Sequence, residues 1–214
     1  ISIHIPRTAG TSFYQVLKQV YGDNLSISLR RKDLNNPKFK GDDLSPILTP
    51  NIKAIHGHVY YYEVRKIHLT NNSKVICWLR EPTSRVISNY RFFMHGLRNP
   101  EKNKAVYQIN KHRINETLLE FSMREENRNR ISKFLGDLSL DELFFFGIIE
   151  SFNADVMSLA KKLKWPDIII PHLNNVPSID ISHQLDGTIV DQIKNLNNLD
   201  IELYNKALEM KQIN

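Results

Sequence analysis

The chain has 214 residues, 41% of them hydrophobic and 24% charged, with a formal net charge of +6 and a pI near 9.3. That length suits a single domain over 1–214 with room for a small helical appendage, and the composition is that of a globular chain rather than a disordered or fibrous one. No apolar stretch is long enough to cross a bilayer; the lone cysteine, Cys77, excludes an intrachain disulfide and a Cys/His metal set; and the basic balance favours an anionic partner without choosing among nucleotide, nucleic acid, acidic glycan and membrane surface.

Ile1-Ser2-Ile3-His4-Ile5 alternates apolar and polar residues before Pro6 and predicts a short strand. From Thr11 onward Phe13, Val16, Leu17, Val20 and Tyr21 recur at helical spacing, and Gly22-Asp23 ends the helix. Residues 24–52, with Pro37, Gly41, Pro46 and Pro50, predict a long irregular excursion, and loops of that length are often lids or substrate contacts. Ile52 to His58 reads as a second strand, followed by the aromatic segment Tyr60-Tyr61-Tyr62. The unbroken apolar run Val75-Ile76-Cys77-Trp78-Leu79 is that of a strand buried on both faces, with Cys77 a small buried hydrophobe. Pro82 suits a first helical turn, and Val86, Ile87, Tyr90, Phe93 and Met94 continue at helical spacing.

Residues 97–113 are basic and polar, and helical stretches are expected near 115–123 and 127–134. Residues 143–149 form a third apolar run, and Phe152, Val156, Leu159, Ala160 and Leu163 then make a helical face. A Pro-containing loop over 165–183 leads to two closing helices near 185–194 and 196–211, the second with Leu196, Leu199, Leu203 and Leu208 on one side. Strands alternating with helices predict an α/β class: a P-loop-like three-layer fold with a central, mostly parallel sheet flanked by helices. In such sheets ligands sit at the carboxyl ends of the strands.

Two motifs fall at those ends. Pro6-Arg7-Thr8-Ala9-Gly10-Thr11-Ser12 joins the first strand to the first helix. Unpaired N–H groups and the helix dipole favour an anion there. Gly10 and Ala9 allow a phosphate close, Thr8, Thr11 and Ser12 add hydroxyls, and Arg7 adds fixed charge. The competing reading is an ordinary helix start capped by Thr11 or Ser12. The loop lacks the Gly-Lys-Ser/Thr of a Walker A sequence. No acidic residue at a strand end is suited to hold magnesium, so no metal is expected. The second motif, Arg80-Glu81-Pro82-Thr83-Ser84-Arg85-Val86-Ile87-Ser88, is strand end, turn and helix. Arg80 and Ser88 are the candidate phosphate ligands, while Arg85 alone reads as solvated.

Together these segments resemble the sulfotransferases that use 3′-phosphoadenosine 5′-phosphosulfate (PAPS). The first is similar to their 5′-phosphosulfate loop, with Arg7 where that family usually has Lys, and the second to their 3′-phosphate motif. Ile55-His56-Gly57-His58-Val59-Tyr60 resembles a segment of the carbohydrate branch, particularly heparan sulfate 2-O-sulfotransferase and its bacterial relatives, and Phe146-Gly147-Ile148-Ile149-Glu150 resembles a later strand of it. The resemblance implies sulfuryl transfer from PAPS to a hydroxyl acceptor, expected to be a carbohydrate. It implies His58 as general base with His56 as orienting partner or second candidate, Arg7 and residues Thr8, Ala9, Gly10, Thr11 and Ser12 around the leaving group, and Arg80 and Ser88 on the 3′-phosphate. Pro171-His172-Leu173-Asn174-Asn175-Val176-Pro177 is the positional counterpart of a donor-covering loop. His4, His68, His95, His112, His172 and His183 read as ordinary core or surface residues.

Two other classes compete: a magnesium-dependent phosphoryl transferase, and a nucleotide or polyanion-binding module without activity. Nucleic acid is not an expected partner, because the basic residues are dispersed and no recognised module is present. With no signal-peptide pattern visible, the expected location is a bacterial cytoplasm, with a Golgi lumen domain as the alternative.

Overall fold

The computed structural model describes residues 1–25, 50–102, 104–171 and 179–213. Most of the excursion expected over 24–52, and all but the first residue of the expected loop from Pro171 to Pro177, lie outside the described residues. The strands are β1 (Ser2–Ile3), β2 (His56–Gly57), β3 (Ile76–Leu79) and β4 (Phe145–Ile148). The helices are α1 (Gly10–Tyr21), α2 (Tyr61–Asn71), α3 (Pro82–Arg98), α4 (Lys104–Asn110), α5 (Leu118–Met123), α6 (Arg130–Leu135), α7 (Phe152–Leu163), α8 (Gly187–Leu196) and α9 (Asn198–Ile213). Two compact units divide them, the first from Ile1–Arg80, Ile131–Leu173 and Met210–Asn214, the second from Glu81–Arg130 and Asn174–Glu209.

The first unit holds the sheet, in the order β2-β1-β3-β4 with every pair parallel. The expected α/β architecture, a parallel sheet with flanking helices, is what forms. Ser2 lies opposite His56 and Ile76, and Trp78 lies opposite Gly147. Alternation then puts Ser2, His56, Ile76, Trp78, Phe145 and Gly147 on one face. Phe13, Val16 and Leu17 of α1 and Phe152, Val156 and Leu159 of α7 cluster with Ile76 and Trp78. The Phe13 and Phe152 rings lie 5.0 and 4.6 Å from the Trp78 ring. Burial of each such side chain stabilises by roughly 1.5–3 kcal/mol. Gly147 makes room for the indole: a Cβ there would lie 2.2 Å from Trp78 Cζ3. On the other face Ile3, Cys77 and Leu79 are fully buried, and burial pushes the Cys77 thiol up to about 12.

Two local devices fix this unit. The buried Asp155 carboxylate accepts the Ile148 N–H at 2.7 Å and the Ser151 hydroxyl at 2.9 Å, and pairs with Lys211. That ties the end of β4 to the first turn of α7. Helix α2 is not foreseen from the aromatic segment it begins in. Its start is marked by Glu63, whose carboxylate accepts the Tyr60 N–H at 2.6 Å, and Tyr61, Val64 and Ile67 form its buried stripe.

The second unit is helical. Val86, Tyr90, Met94 and Leu97 of α3 cluster with Leu118 and Phe121 of α5, Ile181 and Ile193 of α8. Helix α3 begins with Pro82 at its first turn, as expected, and Glu81 caps it by accepting from Thr83 and Ser84 N–H at 2.9 and 2.6 Å. Thr117 and Glu120 cap α5 reciprocally. The final helix is rotated from the expected leucine face. Leu199 is 51% and Leu208 38% exposed, whereas Asp200, Tyr204 and Ala207 are buried. Polar anchoring sets this rotation: Asn197 Oδ1 accepts the Asn129 N–H at 3.0 Å, and the Asp200 N–H reaches Asn129 Oδ1 at 3.3 Å.

Candidate active site

The loop after β1 is built against local preference. Arg7 and Ala9 both take left-handed φ values, 72° and 58°, a conformation that costs a non-glycine residue on the order of 1–3 kcal/mol. A buried Thr8 holds the turn between them, its hydroxyl donating to the Ile5 carbonyl at 2.8 Å. Backbone of alternating handedness turns successive N–H groups to one side, which makes an anion-binding concavity. Ala9 is the N-cap of α1, no side chain caps the helix, and its first turn has no acid. Thr11 and Ser12 therefore lie inside the first turn and do not cap it; Thr11 is exposed and Ser12 buried. With no side-chain cap, the dipole at this end favours a negative charge.

Gly10 has a different reason to be glycine from the one its position suggests. A Cβ built there would lie 1.8 Å from His4 Nε2 and 2.0 Å from His4 Cδ2. Its bare side is taken by an imidazole.

Arg80 leaves the end of β3, and its Nη1 donates to the Arg7 carbonyl at 3.3 Å. Burial, and then the charge of Arg80, pulls Arg7 below the usual guanidinium range. The interaction of two guanidinium groups at one loop suits an anion. Glu81 is absorbed by its helix: burial pulls its carboxyl up, but hydrogen bonds from Ser84 and Thr83 outweigh that and hold it below its ordinary 4.5. Ser88 stands half-buried on α3 of the second unit. Arg85 is not solvated as expected. It is fully buried and donates from Nη2 to the Asn127 carbonyl at 3.0 Å, because α3 turns that side chain into its own unit's core.

The parallel ladder of β1 and β2 brings three histidines together. Ser2 N–H donates to the Ile55 carbonyl at 2.7 Å and His4 N–H to the Gly57 carbonyl at 2.8 Å. Side chains of Ser2, His4, His56 and His58 consequently share a face. The His4 ring stacks on His58 at 4.1 Å with planes 24° apart, and lies 5.0 Å from His56 at 19°. His56 is 1% exposed, and its Nδ1 meets Ser2 Oγ at 2.9 Å. Burial, then His58, pushes its pKa down to about 3 against the pull of a hydrogen bond with the Gly10 backbone. Burial first, then His58, His56 and Arg7, pushes His4 well below its ordinary 6.5. His58 is partly exposed, and its Nδ1 lies 2.8 Å from the His4 carbonyl oxygen. A carbonyl only accepts, so Nδ1 carries a hydrogen, and in the neutral ring Nε2 is then the acceptor. Of the two histidines singled out in the sequence, His58 has the geometry of a proton acceptor and His56 that of a buried support.

The first unit thus unites Arg7, the 8–12 segment, Arg80, His56 and His58, with Ser88 in the second. His4 is the member that sequence reasoning missed. Its alternation with Ser2 held the signal, which becomes legible only once β1 is registered against β2. A cavity of about 660 Å³ in the same unit opens elsewhere, at the amino ends of the strands, lined by Ser2, Tyr21, Lys53, Asn72, Lys74 and Trp165 among others. It lies at the end of the strands opposite to the one where ligands of parallel sheets bind.

These features define an α/β protein with a four-stranded parallel sheet and a candidate anion cradle between its first strand and first helix. No protein-family model and no curated protein sequence matches the chain. Among solved structures, the crystal structure of a sulfotransferase from Alicyclobacillus acidocaldarius is similar to it, with 14% identity and a TM-score of 0.49 over 97% of this chain and 94% of that one.

Proposed function

We propose that the chain transfers a sulfuryl group from PAPS to a hydroxyl acceptor, with His58 as the general base. One observation carries the reading: an uncapped α1, entered through left-handed Arg7 and Ala9, with the Arg80 side chain bonded to the same loop. Two guanidinium groups and a set of outward N–H groups fit the phosphates of such a donor. Arg7 and the loop amides take the 5′-phosphosulfate end and Arg80 the 3′-phosphate. Ser88 is assigned to the latter by sequence resemblance alone. A carbohydrate is the acceptor class carried over from the resemblance of residues 55–60.

When bound, PAPS supplies the sulfuryl group and a phosphate leaving group. Nε2 of His58 takes the acceptor hydroxyl's proton as that oxygen bonds to sulfur and the sulfur–oxygen bond to the 5′-phosphate breaks. Arg7 and the amides of residues 8–12 meet the charge that appears on the departing phosphate. His56 is an orienting partner, since its burial keeps it from a substrate.

Calorimetry with PAPS and with 3′-phosphoadenosine 5′-phosphate tests the donor site, followed by an acceptor screen with labelled donor. Micromolar binding of both nucleotides is expected, and His58→Ala is expected to keep binding while losing transfer. Absence of binding by either nucleotide would overturn the reading, and magnesium-dependent ATP binding in its place would favour phosphoryl transfer.

A further inference from the structure

His4 has no part in the reading above, yet three independent features converge on it. Its ring occupies the space of the absent Gly10 side chain. Its ring is stacked on His58 at 4.1 Å. Its main chain is bonded on both sides to the segment that carries His58: the N–H donates to the Gly57 carbonyl at 2.8 Å, and the carbonyl accepts from His58 Nδ1 at 2.8 Å. An imidazole free in water prefers its proton on Nε2. The His4 carbonyl enforces the opposite tautomer.

We infer that His4 is a positioning residue for His58: its carbonyl fixes which imidazole nitrogen carries the hydrogen, and its ring, lodged against Gly10, fixes the plane of the His58 ring. The inference rests on His58 being the base, and it adds a mechanical link to that assignment. Gly10 belongs to the anion loop and His58 to the transfer step, and the His4 ring touches both. Displacement of the loop at Gly10 is then passed to the base through one rigid ring. A side chain whose planar face must fit both a backbone and an imidazole explains why a histidine stands in the alternating strand where any half-buried polar residue would satisfy the pattern.

The tautomer can be read without turnover. Long-range proton–nitrogen spectra of the full chain, with the histidine nitrogens labelled and His58→Gln used for assignment, are expected to show a protonated Nδ1 and an unprotonated Nε2 on His58. In His4→Ala the main-chain carbonyl remains, so Nδ1 stays protonated, and loss of the stacked ring is expected to shift and broaden the His58 ring signals. Turnover should fall by roughly tenfold to a hundredfold, as for a misplaced catalytic group, with the donor KM changed by no more than about twofold. A wild-type His58 with its hydrogen on Nε2 overturns the inference, whether or not His4→Ala folds. So does a folded His4→Ala that leaves both the His58 ring signals and the turnover number unchanged. Full transfer by His58→Ala overturns the base assignment instead, a separate failure, because the tautomer is measured in the resting protein.

Discussion

Gly10→Ala sets helix propensity against packing, and the two predict opposite signs. Gly10 is the first residue of α1. Propensity alone makes alanine there the better residue by about 0.5–1 kcal/mol. Against this, the new methyl would fall 1.8, 2.0 and 2.2 Å from three atoms of the His4 ring, where carbon contacts normally sit at about 3.5–4.0 Å. The ring must retreat by more than an ångström. It cannot do so cheaply, being stacked on His58 and close to His56, with its main chain bonded to Gly57 and His58. Overpacking of this kind costs typically about 1–3 kcal/mol. The midpoints leave a net loss of about 1 kcal/mol, which for a chain of this size lowers Tm by roughly 2–4 °C. Urea unfolding of Gly10→Ala, His4→Ala and the double variant measures it. Removing the ring makes room for the methyl, so His4→Ala should cost less in the Gly10→Ala background, with a coupling of about 1 kcal/mol. A Gly10→Ala protein as stable as wild type, or more stable, would refute the packing argument and leave propensity in charge.

Acid should destabilise the fold before its carboxylates titrate. His56, at about 3, and His4, also held below 6.5, stay neutral when folded but take up protons when unfolded. Their stabilisation is complete above pH 6.5 and is lost progressively as pH falls from there toward 3. Glu81, Glu120, Glu142 and Asp180 are held below their ordinary 4.5 or 3.8, so they add a loss only at lower pH. Urea midpoints should therefore fall between pH 6.5 and 4.5, and His56→Gln should flatten that slope; an already flat wild-type profile would contradict it. Arg80→Ala should weaken 3′-phosphoadenosine 5′-phosphate binding by about 1.5–3 kcal/mol, roughly tenfold to a hundredfold, and Arg7→Lys, which keeps the charge but loses the planar fork, by less; calorimetric affinities in the reverse order would remove Arg80 from the site. Asp155→Ala should cost about 2–4 kcal/mol in denaturant unfolding by stranding the Ile148 N–H. Lys211→Ala, at a residue 29% exposed, should cost less.

The fold was legible wherever hydrophobic pattern and burial coincide. The unbroken run Val75-Ile76-Cys77-Trp78-Leu79 reads as a doubly covered strand because β3 lies between β1 and β4, and Pro82 marks the α3 start because a missing N–H is harmless there. Legibility fails where a polar residue is buried or a helix is built from poor formers. Helix α2 follows Tyr60, opens on two more tyrosines and has β-branched residues on its buried side, so its stripe does not stand out. Helix α9 shows the converse. Its leucines make the stronger stripe, but Asn197 and Asp200 are committed to Asn129 and turn those leucines outward. Periodicity sees apolar surface and not the bonds that decide which stripe is buried.

The same limit governs the candidate site. Arg7, Arg80 and the 8–12 segment could be picked out because each sits in a local motif whose chemistry follows from a strand end or a helix start. His4 could not, since its meaning comes from a neighbour more than fifty positions away along the chain, through the register of Ser2 against His56. That register also reinterprets Gly10. In the motif alone, a glycine at a helix start implies close approach by a phosphate; in the structure its missing side chain admits the His4 ring. The loop is shaped instead by left-handed Arg7 and Ala9, residues that carry the strain without the freedom glycine would give. A loop that holds two non-glycine residues in that conformation while giving its glycine to a histidine is shaped on one side by the His4 ring; the proposed anion and base would account for the other.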